Sequence, residues 1–147
     1  MGIFDPATDA FSTVDISTTK STDKYLGGVL LPSGEAVFVP FSADNAVIFD
    51  PTEARFTPVY LSATTSTAGK YAGGVLLPSG KVAFVPFNMP EIAGSEINEG
   101  SVALLDPDTN PARISTVGIS FTGRVQRSGG GAYAGGVLLP VALNPKL

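Results

Sequence analysis

The feature that most constrains this chain is a block of sequence that is repeated with few changes. Residues 24–41 read KYLGGVLLPSGEAVFVPF and residues 70–87 read KYAGGVLLPSGKVAFVPF, so 14 of the 18 positions are identical at an offset of 46 residues. A third copy, YAGGVLLP, begins at Tyr133. Repeats of this length are supersecondary units that bury their apolar faces against their neighbours. The chain is therefore expected to fold as a repeat architecture.

A second block recurs between the copies of the first. It reads IFDPATDAFSTVDIS from residue 3, IFDPTEARFTPVYLS from residue 48 and LLDPDTNPARISTVGIS from residue 104. Asp at the first position of a turn bonds its own backbone, and the following Pro presets φ for the next position. The repeated aspartates, Asp5, Asp50 and Asp106, are therefore assigned to turns rather than to a site.

Together the two blocks form a unit of four strand-like runs, named A to D here. Strand A, residues 27–31, is an apolar run led by two glycines, which predicts an innermost strand buried on both faces. Strands B and C cover residues 36–41 and 46–50, and a Pro-Ser-Gly turn joins A to B. Strand D, residues 56–62, contains Pro58, which cannot donate to a sheet ladder, so D is predicted to be the outer edge.

The composition agrees with an all-β fold and argues against several functions. The chain is 44% hydrophobic and 15% charged, with 17 Gly and 12 Pro, which is typical of short strands joined by many turns. The absence of Cys and His excludes disulfides, thiolate or imidazole metal ligands and a Ser-His-Asp triad. A net charge of −4 without a basic cluster argues against nucleic acid, and no apolar run or leader pattern indicates a membrane. The compartment is left open.

The pattern YxGGVLLPSGxVxFVP followed by FDPxT resembles the blade repeat of kelch-like β-propellers, in particular long repeat proteins of algae and marine phages. The resemblance extends from about Ile3 to Pro140. It implies an all-β propeller of four-stranded blades, with strand A at the central axis and strand D at the rim. The matching motifs carry no catalytic residue, so the resemblance implies a fold without implying an enzyme.

The order of the blocks predicts one domain, residues 1–147, that starts and stops within a unit. It comprises a partial blade at 1–20, blades at 21–66 and 67–128, the second with insertions, and a partial blade at 129–147. Three blades are fewer than the roughly four to eight of a closed propeller. We therefore expect a homodimer with six blades, in which each C-terminal strand A completes the partner's N-terminal half-blade. A β-trefoil, also built of three four-stranded repeats, is the alternative.

Candidate binding residues cluster at the end of the unit that carries the B–C and D–A connections. Both insertions, residues 88–100 and 121–132, lie there, and loop variation on a rigid scaffold is typical of binding surfaces. Long surface loops are also tolerated without any partner. The loops and the repeated tyrosines with their preceding lysines supply the candidates Lys24, Tyr25, Lys70, Tyr71, Asn88, Glu91, Glu96, Glu99, Arg124, Arg127 and Tyr133.

The chemistry of these candidates favours binding over catalysis. Tyrosine rings around an axial opening suit stacking on a sugar or gripping a peptide, although the same rings can pack between blades. The three glutamates match no calcium-binding loop, and nothing sets the carboxylate separation that glycoside hydrolysis needs, so no metal or cofactor is expected. The predicted function is a non-enzymatic scaffold for a glycan or protein. The alternatives are a structural or virion-associated assembly protein and a carboxylate-dependent hydrolase.

Overall fold

The described part of the chain is built of β-strands without helices. The structure, a computed structural model, describes residues 2–15, 22–61, 69–87 and 97–122, with the backbone alone for 97–101 and 119–122. The all-β fold class is confirmed. The strands are β1 (Gly2–Asp5), β2 (Ala10–Thr13), β3 (Tyr25–Leu30), β4 (Ala36–Pro40), β5 (Asn45–Asp50), β6 (Arg55–Tyr60), β7 (Tyr71–Leu76), β8 (Val82–Pro86), β9 (Ile97–Asp106) and β10 (Arg113–Thr122).

The strands form two antiparallel sheets of four strands and one separate hairpin. The first sheet has the order β3-β4-β5-β6, the second β7-β8-β9-β10, and β1 pairs with β2. Each large sheet is therefore one sequence unit, with the predicted strands A to D in chain order. Strands A and D occupy its two edges, as predicted, and in the first unit each bound agrees within two residues.

The turn between strands A and B has the same build in both units. Gly34 N–H donates to the Leu31 carbonyl at 3.0 Å, and Leu31 N–H donates to the Glu35 carbonyl at 2.8 Å. Gly34 has φ +90°, in the region where a Cβ is costly, so the glycine of Pro-Ser-Gly is required there. The second unit repeats both hydrogen bonds 46 residues later, at 2.9 and 2.8 Å.

The three Asp-Pro turns use the aspartate carboxylate as a backbone acceptor. The Oδ1 atoms of Asp5, Asp50 and Asp106 each accept from the N–H two residues downstream, at 2.9, 2.9 and 3.3 Å. The Thr8 hydroxyl also donates to Asp5, and this bond, followed by the Ala7 N–H, lowers the pKa of the Asp5 carboxyl. The assignment of these aspartates to turns is confirmed.

The two large sheets pack face to face with equivalent strands opposite each other. Their contact is greatest between β3 and β7, which are both strand A, and it continues between the outer strands β6 and β10. A Cβ placed on Gly27 would lie 3.0 Å from the Gly73 Cα, and both glycines have positive φ. The two inner strands therefore cross at a pair of glycines that occupy the same position of the repeat.

The core between the sheets is formed by opposite faces of the two units. Because side chains alternate along a strand, each unit has two faces, which we name front and back. A Cβ on Gly74 would lie 3.1 Å from the Val29 Cγ2, which places the front of the first sheet against the back of the second. The front face of the first sheet comprises Val29, Val37, Val39, Ala46, Ile48 and Val59, and the back face of the second comprises Tyr71, Gly74, Leu76, Val82, Phe84, Ala103 and Leu105.

The prediction that strand A is buried on both faces is wrong for β3. Val29 is buried, but Leu26 and Leu30 are 47% and 69% exposed. The reason is that the second sheet covers only the front of the first, so the back of this edge strand has no comparable cover among the described strands. The second copy, β7, is more enclosed, because Tyr71 and Ala72 are both buried, Tyr71 in the core between the sheets.

The predicted bounds of the two insertions also need correction. Residues 97–100, predicted as loop, belong to β9, and residues 121–122 belong to β10. β9 pairs with β8 only around Ala103–Leu105, whereas its pairing with β10 continues to Ile97↔Thr122. The insertions thus extend the hairpin of strands C and D into a two-stranded ribbon beyond the end of β8. Antiparallel pairing satisfies the backbone groups of both inserted segments at once, which favours a ribbon over two loops.

Neither ring closure nor barrel closure is present in the described ranges. No strand of one large sheet hydrogen-bonds to the other there, so the closed barrel of the β-trefoil alternative is not found. The predicted C-terminal partial blade, 129–147, lies outside the described residues, and the hairpin β1–β2 forms a sheet of its own. Within the same ranges, no helix is long and apolar enough to cross a membrane.

Candidate functional site

The B–C and D–A connections meet at one end of the sheets, which we call the connection end. The Lys24 carbonyl accepts from Phe41 N–H at 2.9 Å and from Ala43 N–H at 3.1 Å. At the equivalent place in the second unit, the Lys70 carbonyl accepts from Phe87 N–H at 2.9 Å. Lys70 N–H donates to the Phe41 carbonyl at 2.9 Å, which ties the second unit to the first. The candidate lysines therefore directly precede strand A, and their backbone hydrogen bonds hold the connections together at this end.

The Lys70 side chain is buried at the joint between the two units. Its side chain is 3% exposed, and its Nζ lies 4.0 Å from Oδ1 of Asp44, whose side chain is 53% exposed. A buried ammonium group is costly unless opposite charge and hydrogen bonds compensate its lost hydration. In the described structure Lys70 thus serves the joint between the units and does not present its charge to solvent.

The two described candidate tyrosines occupy the same repeat position but have different surroundings. Tyr71 is 3% exposed and its ring packs against Phe84, with the ring centroids 5.6 Å apart. Tyr25 is partly exposed and packs against Phe38 at 6.2 Å. Tyr25 therefore has access to solvent at the connection end, whereas the second sheet's tyrosine is covered by the first sheet.

The Tyr25 hydroxyl makes a short hydrogen bond that sequence reasoning missed. It donates to Oδ1 of the buried Asn45 at 2.7 Å. Burial, and to a smaller extent the neighbouring Tyr60, raises the pKa of the Tyr25 phenol. Asn45 has no counterpart in the second unit, where Ser101 pairs opposite Gly118 as Asn45 pairs opposite Tyr60, so repetition gave no signal for it.

Replacing Tyr25 with Phe is expected to lower the free energy of unfolding by about 1–2 kcal/mol, because the buried Asn45 loses its donor. Urea unfolding at neutral pH measures this, with Tyr60→Phe, at a side chain that is 70% exposed, as the control expected to change by less than about 0.5 kcal/mol. Since the pKa is raised, the contribution of Tyr25 is complete below the ordinary tyrosine pKa of about 10 and is lost as the pH rises above it. Equal alkaline sensitivity in the wild type and Tyr25→Phe would contradict this account.

Of the other candidate residues, the structure describes only one, Glu99, and only its backbone. Glu99 lies in β9 opposite Ser120, within the ribbon that continues from the connection end. Its side chain is outside what the structure describes. The remaining candidates, which are Asn88, Glu91, Glu96, Arg124, Arg127 and Tyr133, also lie outside the described residues.

A pair of phenylalanines at the connection end was not recognised as a contact from the sequence. Phe41 and Phe87 occupy the same repeat position, and their ring centroids lie 5.3 Å apart in a tilted arrangement. Like the crossing of Gly27 and Gly73, this contact joins a residue to its own counterpart in the next unit. The repeat alignment identifies such pairs, but their contact follows only once the units are known to stack in register.

The opposite end of the sheets, which carries the short turns, is more acidic in the first unit than in the second. In the second unit, Lys81 Nζ lies 3.0 Å from Oδ2 of Asp106. The repeat position of Lys81 holds Glu35 in the first unit, so no such ion pair forms there. Over the described ranges, no group of three or more His, Cys, Asp or Glu is placed to hold a metal. A depression at this end is lined by Ser33, Gly34, Glu35, Asp50, Pro51, Thr52 and Glu53.

The described fold is that of an all-β repeat protein built of four-stranded antiparallel units. Comparisons with protein-family models, with curated proteins and with solved structures gave no match. The resemblance to kelch-like propellers therefore rests on the repeated residues of this chain.

Proposed function

We propose that this chain is a non-enzymatic, propeller-like scaffold that binds an extended segment of a partner protein at its connection end. The observation that carries the proposal is the ribbon of β9 and β10. It projects past the end of β8, whereas the opposite end has short turns of the same build in both units. Extra structure at one end of a uniform scaffold is the usual form of a recognition element.

The backbone of the ribbon favours a protein over a glycan as the partner. From Ile97 to Ser101, β9 pairs with β10 on one side, and no described strand pairs with its other side. An open strand edge offers a row of N–H and C=O groups to which an extended peptide can add as a further strand. A glycan would instead use the aromatic rings, and of the two described candidate tyrosines only Tyr25 is accessible.

The described residues offer little support for the hydrolase alternative. The recurring aspartates accept hydrogen bonds within their own turns, and the chain contains no His or Cys. Two carboxylates need a set separation across a cleft for glycoside hydrolysis. The proposed role is therefore binding, with neither a cofactor nor a metal.

A trimmed chain tests the proposal. Residues 88–101 are replaced by the first unit's Ser-Ala-Asp-Asn, residues 42–45, and residues 119–131 by the first unit's link, residues 61–69. Peptides selected against the full chain from a random display library, and hits from a glycan array, are then titrated against both proteins by calorimetry. We expect peptide binding that weakens about tenfold or more in the trimmed chain, since each strand-addition contact contributes about 1 kcal/mol.

The matched control is the thermal unfolding of the two proteins. Because the trimmed connections are those that the first unit already uses, the trimmed chain is expected to unfold within a few degrees of the full chain. Peptides that bind both proteins equally, or ligands found only among glycans, would contradict the proposal.

A further inference from the structure

The stacked pair of Phe41 and Phe87 lies beside the base of the ribbon, where its edge becomes unpaired. β8 pairs with β9 as far as Phe84↔Ala103. Three residues further in the same register, Phe87 comes level with Gly100, which belongs to the part of β9 that has no second described partner. A segment that lies in line with β8 and adds to this edge therefore has one end next to the phenylalanine pair.

The strand β8 ends here for a reason that lies in its own sequence. Phe87 N–H donates to the Lys70 carbonyl at 2.9 Å, on the side of β7. Because successive N–H groups of a strand point to opposite sides, the group that would point towards β9 belongs to Pro86, which has none. The backbone groups of β9 beyond this point are thus left for a segment other than β8.

The two phenylalanine rings form an apolar surface that is held in place. Their centroids lie 5.3 Å apart in a tilted arrangement, and both residues are only partly buried. The backbone of Phe41 is fixed on both sides, since its N–H donates to the Lys24 carbonyl and its carbonyl accepts from Lys70 N–H, each at 2.9 Å. An apolar side chain that packs on such a pair gains contact without having to order the protein first.

We propose that the partner segment runs antiparallel to β9 and packs an apolar side chain from its N-terminal end, here called the anchor, on the Phe41–Phe87 pair. The inference rests on the proposed function and names the chemistry of its partner, which is an extended peptide with an aromatic or long aliphatic residue before the paired stretch. All neighbouring strands in the described ranges pair antiparallel. A parallel segment would instead bring its C-terminal end to the rings.

The anchor supplies what the short edge of β9 lacks. The stretch from Ile97 to Ser101 offers about two or three ladder hydrogen bonds, each with a net contribution of about 1 kcal/mol. Burial of one large apolar side chain adds about 1.5–3 kcal/mol. Binding therefore depends about equally on the ladder and on the anchor. Because the ladder uses backbone groups, the anchor is what distinguishes one peptide sequence from another.

A double-mutant cycle between the protein and a peptide tests the inference. The probe is a display-selected peptide whose binding weakens in the trimmed chain, and an alanine scan of this peptide is expected to identify an apolar anchor at its N-terminal end. In the full chain, Phe87→Ala is expected to weaken binding of the peptide about tenfold or more. Phe87→Leu, which keeps an apolar side chain, is expected to weaken it less and replaces Phe87→Ala in the cycle if the latter does not fold. Phe56→Ala, in a ring pair near the opposite end of the first sheet, is the matched control and is expected to bind as the wild type does.

The coupling in this cycle distinguishes a direct contact from a general effect on the fold. The peptide with its anchor replaced by alanine is expected to bind the wild type and Phe87→Ala equally, because the contact is already lost. The inference is overturned, with the proposed function intact, if ribbon-dependent peptides lose the same affinity with and without their anchor. A charged or C-terminal anchor would overturn it in the same way. Peptides that bind independently of the ribbon would overturn both proposals.

Discussion

The variant Gly27→Ala is expected to lower the free energy of unfolding by about 3 kcal/mol. Two costs add at this position. The residue has φ +81°, where an L side chain costs about 1–2 kcal/mol. Its Cβ would lie 3.0 Å from the Gly73 Cα, and overpacking against a backbone costs about 1–3 kcal/mol more. Urea unfolding measures the sum.

Gly34→Ala is the matched control, because it carries the first cost without the second. Gly34 has φ +90°, and a Cβ there would meet nothing within 4 Å. We expect a loss of about 1–2 kcal/mol, from backbone strain alone. Equal losses at the two glycines would mean that the inner strands do not cross closely.

The variant Phe84→Ala is expected to lower the free energy of unfolding by about 4 kcal/mol. The side chain has no exposed area, and it lies in the core between the sheets, in contact with Tyr71. Removing a buried phenylalanine costs about 3–5 kcal/mol, from lost transfer free energy and the cavity left behind. Thermal or urea unfolding of the folded variant measures the loss.

The control for this variant is its repeat counterpart, Phe38→Ala. Phe38 lies on the back of the first sheet, is only partly buried and contacts Tyr25. We expect a loss of about 1–2 kcal/mol, because a cavity at this partly buried site is open to water. A loss at Phe38 as large as that at Phe84 would mean that both backs are equally covered within one chain.

The strands and turns of the first unit could be predicted from the sequence because their causes are local. The Pro-Ser-Gly turn, the Asp-Pro turns and the apolar runs each specify their own conformation through a few neighbouring residues. Pro58 predicted that strand D lies at an edge of the sheet, because proline has no backbone N–H to donate to a second neighbouring strand. Repetition then transferred these assignments to the second unit without further evidence.

The packing of the faces could not be predicted in the same way, because it depends on which neighbour a unit has. Leu30 and Leu76 share their local sequence, yet one is exposed and the other packs on the core. The burial predicted for strand A held better in β7, which has the first sheet against it, than in β3. A sequence repeat specifies the unit, whereas burial at its ends is set by what stacks there.

In the candidate site, too, local sequence predicted the residues but not their surroundings. Tyr25 and Tyr71 look alike in the sequence, but the second is covered by the first sheet while the first hydrogen-bonds to Asn45. The ribbon was predicted as loops, because the pairing of residues 97–100 with 119–122 joins two segments that are far apart in the sequence. Long-range pairing of this kind leaves no local signal in a single sequence.

The stacking of the units is tested most directly by measuring whether Gly27 and Gly73 lie in close contact. In a chain with carbon-13-labelled glycine, diluted with unlabelled chain so that the signal arises within one chain, we expect a nuclear Overhauser effect between the α protons of these two residues. The effect between Gly28 and Phe38, which pair across β3 and β4, is the internal reference. Detection of the reference without any effect between Gly27 and Gly73 would show that the units do not stack in register and would contradict the account.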